Sequence, residues 1–161
     1  MLLFRVFHRL PFIIFHPDED DSLFLYIFAS SMKTTLTLQQ ALEKIKGGHL
    51  GQLKGLDVND ITYVLDGAKE IVLLTYCQKD AASLAAVIDE HASEISQYTG
   101  GAKGALLQLV TGCDYELSMD DMLCIEKVKG LLAEHTEFSW DVDRDESSTF
   151  PLRFELYISQ L

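Results

Sequence analysis

The chain has 161 residues, 48% of them hydrophobic and 24% charged, with a formal net charge of −12. That is one domain's worth, long enough to bury a core and too short for two ordinary domains. So acidic a chain lacks the basic face that phosphate-backbone binding requires, and no run of Lys or Arg supplies one locally, which excludes nucleic-acid partners.

Residues 1–31 differ in character from the rest. MLLFRVFHRLPFIIF is apolar and aromatic, broken by Arg5, His8, Arg9 and Pro11; the acidic DEDD at 18–21 follows, then a second apolar run, LFLYIFA. Neither run approaches the roughly 20 apolar residues that span a bilayer. The early arginines and Pro11 spoil a signal-peptide h-region, so no membrane span is expected and the protein reads as cytoplasmic. The segment reads as an extension or a misplaced start without a role in the fold; a peripheral membrane anchor is the other reading.

A helix and loop are expected over 32–54. Thr37 with Gln40 forms a capping-box signature, Ala41, Leu42 and Ile45 share a face, and Gly47 with Gly48 ends the helix. In the next stretch, GLDVNDITYVL, Asp57 is placed at N-cap and Asp60 at N3, with Ile61, Val64, Leu65 and Ala68 on one helical face. The apolar run Ile71–Tyr76 predicts a strand covered on both sides.

Asp80 with Ser83 opens a further helix with the stripe Leu84, Val87, Ile88, His91 and Ile95, stopping near Tyr98. GALLQLVTG (104–112) predicts a second buried strand. Ser118 with Asp121 caps a last helix, with Met122, Ile125, Val128, Leu131 and Leu132 inward. Two period-2 strands follow, one carrying Phe138, Trp140 and Val142, the other Leu152, Phe154, Leu156 and Ile158; the acidic loop at 143–149 joins them as an antiparallel hairpin. The fold class expected is an α/β two-layer sandwich with helices packed on a mixed four-stranded sheet.

Chemistry-bearing clusters are scarce. Cys77, Cys113 and Cys124 form no CxxC pair, and the histidines show no metal-ligand spacing, so neither a metal nor a cofactor is expected. His91, on an apolar stripe, reads as a packed or boundary histidine.

The stretch AKGALLQLVTGCDYELSMDDM (102–122) resembles the C-terminal domain of FtsZ, the tubulin-like cell-division GTPase. There a strand of the form A-[RK]-G-x-L-x-N-I-T-[AG]-G-x-D-L-x-L precedes the last helix, and Ala102, Lys103, Gly104, Leu106, Thr111, Gly112, Asp114 and Leu117 match it. Gln108 and Leu109 depart from it. The family enters this domain through N-L-D-F-[AG]-D-[VI], which Leu56, Asp57, Asp60 and Ile61 match, with Gly55 at the Asn position. In the family this loop projects into the nucleotide pocket of the next subunit, where its carboxylates orient the water that attacks the γ-phosphate. The resemblance covers about 55–161, with the helix at 37–46 a remnant of the family's connecting helix. The Gly-rich phosphate loop of the GTP-binding half has no counterpart, and 54 upstream residues are too few to hold that half.

What the resemblance implies is a filament-associated module without an active site of its own. It would dock on the nucleotide end of FtsZ or an FtsZ-like subunit through Gly55, Leu56, Asp57, Val58, Asn59 and Asp60. Asp57 and Asp60 would act in trans, GTP would come only from the partner, and homo-oligomerisation is left open. For the same two residues, capping alone is the structural alternative. The alternative functions are an oligomeric small-ligand or enzyme module of similar fold, or a truncated family member without retained activity.

Overall fold

The computed structural model describes residues 31–47, 57–78, 84–112, 115–148 and 150–161. Expectations for residues 1–30, for the 48–56 loop and for the Asp80–Ser83 cap lie outside the described residues. Those residues form β1 (Ser31–Leu36), α1 (Leu38–Gly47), α2 (Val58–Leu65), β2 (Glu70–Cys77), α3 (Leu84–Thr99), β3 (Ala102–Thr111), α4 (Met119–Gly130), β4 (Glu137–Arg144) and β5 (Leu152–Gln160).

The α/β class holds, with helices packed on a mixed sheet. The sheet has five strands in the order β1-β2-β5-β3-β4, antiparallel throughout except for the parallel β3–β4 pair. The extra strand is β1, which pairs antiparallel with β2 from Ser31↔Tyr76 to Leu36↔Ile71. Its sequence, SMKTTL, carries the β-branched threonines that suit a strand, but the adjacent Thr37–Gln40 capping box dominates the sequence signal. Lys33 on this strand lies 4.4 Å over the ring of Tyr98, a cation–π contact that pins the edge to α3.

The expected terminal hairpin does not form. β4 lies at the sheet edge beside β3, whereas β5 runs between β2 and β3. The reason is topological. β2 and β3 both run antiparallel to β5, hence parallel to each other, so the crossover through α3 leaves an empty slot one strand wide. Filling it gives β5 two ladders instead of one. Leu152, Phe154, Leu156, Tyr157 and Ile158 are fully buried there, which an edge position would not achieve.

From β2 to β3 and from β3 to β4 the chain steps in the same direction across the sheet. Right-handed crossovers therefore set α3 and α4 on one face. Ile88 and Ile95 of α3 and Cys124, Ile125 and Val128 of α4 pack there on Val72, Leu74, Leu107, Leu109, Phe154 and Leu156. On the other face Ala41 and Ile45 of α1 and Ile61, Val64 and Leu65 of α2 cover Ile71, Leu73, Leu106 and Tyr157. Among the described residues the helices thus form a layer on each face of the sheet, three layers rather than two. His91 takes its boundary place, its ring 4.5 Å from that of Tyr76 and its Nδ1 3.3 Å from the Glu94 carboxylate.

Beyond the reach of α2 the second face turns polar. Glu155, almost wholly buried, accepts hydrogen bonds from Lys44 and Arg153 at one oxygen and from the Tyr157 hydroxyl at the other. This network ties α1 to the sheet, and burial first, with the Glu155 carboxylate second, pushes the Tyr157 hydroxyl well above the usual phenol range. The acidic loop after β4 is equally anchored. Asp145 accepts from Ser147 and from Arg153, which hold its carboxyl below the usual range, and its N–H donates to the Thr111 carbonyl. The loop thereby crosses the end of β3, where Gly112 donates to the Pro151 carbonyl and a Cβ would come within 3.0 Å of the Phe150 carbonyl oxygen.

Candidate functional site at the start of α2

The site is built on a two-turn helix. Asp57 has extended backbone and sits at N-cap; its Oδ1 accepts from the backbone N–H groups of Asn59 (2.7 Å) and Asp60 (2.9 Å). Asp60, at N3, returns an Oδ2 to the Asp57 N–H at 3.1 Å, completing a reciprocal capping box. Both carboxylates are exposed, as is Asn59, while Val58 is half-buried. Each acid spends one oxygen on the cap. Among the described residues the second oxygen of each accepts nothing, so the pair presents two carboxylate oxygens outward. Gly55 and Leu56 lie outside the described residues.

The placement of this pair is decided at the other end of α2. β3 and β5 are in register from Ala105↔Ile158 onward, but Ala102 pairs with Gln160, so Lys103 and Gly104 together face Ser159. This bulge leaves the Gly104 peptide groups out of the ladder. Ser159 satisfies both: Gly104 N–H donates to its Oγ (2.7 Å), and the hydroxyl donates to the Gly104 carbonyl (3.0 Å). A Cβ at Gly104 would overlap the Val64 carbonyl oxygen and lie 3.0 Å from its carbonyl carbon. Lys103, beside it, donates from Nζ to the Asp66 carbonyl at the C-terminal end of α2 (2.7 Å), where a cation complements the helix dipole.

The 102–112 motif that carries the family resemblance is therefore geometric. Gly104 admits α2 and Gly112 admits the crossing loop. The sequence singled out Lys103 and Gly104 as motif positions without assigning them a task, and it offered no role for Ser159. The one available signal for the last is a small polar residue in an otherwise apolar strand. Asp57 and Asp60 are brought together as expected, by the reciprocal hydrogen bonds of the cap. An open cleft of about 370 Å³ lies at the far end of α2, beside Tyr63, Asp66, Lys103, His135 and Glu137.

Among the described residues no group of three His, Cys, Asp or Glu side chains is arranged to hold a metal, and no helix is long and apolar enough to cross a membrane. Asp121, which closes the other acidic capping box, is buried and caps α4. Burial raises its pKa, but donors from Ser118 and Tyr115 outweigh that and hold it below the usual range. Its oxygens are thus turned inward, unlike those of Asp57 and Asp60.

No protein-family model and no curated protein matches the chain. Among solved structures it is similar to the FtsZ dimer of M. jannaschii, with a TM-score of 0.51 and 20% identity, over 68% of this chain and 32% of that one. E. coli HypE, a hydrogenase maturation protein, gives a TM-score of 0.36 at 8% identity, over 78% of this chain and 44% of that one. Thiamine monophosphate kinase from Aquifex aeolicus gives 0.30 at 15%, over 76% and 43%. The chain thus spans about a third of the FtsZ chain and less than half of the other two. The likeness to FtsZ is one of fold, and the fold of this chain is FtsZ-like.

Proposed function

We propose that this protein carries a counterpart of the FtsZ C-terminal domain, covering about 55–161, that docks on the nucleotide-bearing end of an FtsZ-type subunit. In the cytoplasm it would modulate filament assembly or GTP hydrolysis in trans. The chain brings no active site of its own, and the nucleotide belongs to the partner.

The observation that carries this reading is the pair Asp57 and Asp60. Both are exposed on the first turn of α2, and each keeps one carboxylate oxygen after capping. Two such acceptors can orient a water on a partner's phosphate, as water-positioning groups do in phosphoryl transfer. The net charge of −12 narrows the docking face to a partner surface that is itself cationic or metal-loaded.

The test is to add the protein to GTP-loaded FtsZ and follow phosphate release and filament mass. A change in either is expected, weakened by charge reversal at Asp57 and Asp60. No effect at high micromolar excess contradicts the reading.

A further inference from the structure

We infer that Lys103 is a positioning residue for the Asp57–Asp60 pair: its ammonium group, seated on the Asp66 carbonyl, sets the tilt of α2 on the sheet. The inference rests on the functional reading above and names the element that would tune it.

α2 has eight residues and an outer face on which Asn59, Tyr63 and Asp66 are exposed. Its buried residues are Ile61, Val64 and Leu65, and the Val64 backbone lies against Gly104 with no room between them for a Cβ. That contact is a pivot. Backbone meets backbone with no side chain between, so a change in the tilt of the helix would turn about this point. Lys103 grips the chain on the C-terminal side of the pivot, and the acidic pair lies on the N-terminal side.

The lever is long enough to matter. Asp57 is seven residues from Val64, about 10 Å along a helix at 1.5 Å per residue, so a tilt of about 5° displaces it by about 1 Å. Misplacement of a positioning group by that distance can cost up to about a hundredfold in a step that depends on it. The cap itself would survive, because its hydrogen bonds are internal to residues 57–60 and move with the helix. Loss of the grip at Lys103 therefore separates placement of the pair from its existence.

The experiment uses the full chain with Lys103→Met and Lys103→Arg. Residual dipolar couplings of the α2 N–H vectors, referred to those of β2, β3 and β5, read the helix tilt without any partner. Stimulated GTP turnover of FtsZ, measured against concentration of the added protein, gives maximal turnover and half-saturation separately. Lys103→Met is expected to reorient α2 and to lower the maximal turnover effect about fivefold or more while half-saturation moves less than about twofold. Lys103→Arg restores both. An unmoved helix axis overturns the inference whatever the partner does, as does a reoriented helix with unchanged maximal turnover. A wild-type protein without effect on FtsZ overturns the functional reading, and the inference about the pair falls with it; the couplings then report only whether Lys103 sets the tilt.

Discussion

Gly104 of β3 lies directly under the carbonyl of Val64 in α2, with no room between them for a Cβ. The helix that presents the exposed acids is seated here by a backbone contact, beside the buried side chains of Ile61, Val64 and Leu65, and the glycine is there because the sheet and the helix meet main chain to main chain.

Gly104→Ala is expected to destabilise the fold by about 3 kcal/mol, since the added methyl must displace α2 or the strand. Urea unfolding would show it as a lower midpoint at an unchanged slope.

Ser159→Ala removes the hydroxyl that serves both peptide groups of Gly104 in the bulge. With those groups buried and unsatisfied, a loss of about 1–3 kcal/mol is expected. Amide exchange at Gly104 should accelerate in the same variant.

At Asp57, cap and charge can be separated. Asp57→Ala should cost about 1 kcal/mol, whereas Asp57→Ser and Asp57→Asn keep an N-cap acceptor and should cost only a few tenths. Thermal melts check the stability order. If the carboxylate meets a partner's nucleotide, the two stable variants still lose the effect on that partner.

The alkaline limb of stability should carry the mark of Cys124. Burial first, and the nearby Asp121 carboxylate second, push this thiol from 9.0 up to about 12. A raised folded value means that the contribution is complete below the unfolded value and is lost as pH rises toward the folded one. Stability should therefore fall above pH about 9 with a slope from this group of about 1.4 kcal/mol per pH unit. Cys124→Ala should flatten that slope even where the cavity lowers absolute stability. Denaturant midpoints taken between pH 8 and pH 10 would decide it.

How far the sequence carries the structure depends on which interactions are local. The capping boxes at Asp57–Asp60 and Ser118–Asp121 were legible because donor and acceptor lie three residues apart. The helices and strands from α2 to β5 followed from periodicity. β1 did not, because a short Thr-rich strand adjoins a stronger helix-start signal. Pairing was hidden for a different reason: alternation in β4 and β5 fixes which face each residue takes but says nothing of the neighbour, and the slot between β2 and β3 exists only once the crossover is built. The acids of the candidate site could be named in advance. Their seat could not, since Lys103 reaches back 37 positions to Asp66 and Ser159 reaches 55 to Gly104.

Action of the α2 acids on a partner's nucleotide can be read from GTP turnover of FtsZ with added wild-type protein and with Asp57→Asn/Asp60→Asn, a pair that retains capping acceptors. A concentration-dependent change in turnover is expected with the wild type, reduced about tenfold or more in the double variant, whose melting temperature moves only slightly. Equal turnover with and without the wild-type protein, or an effect that the double variant reproduces in full, would contradict that action.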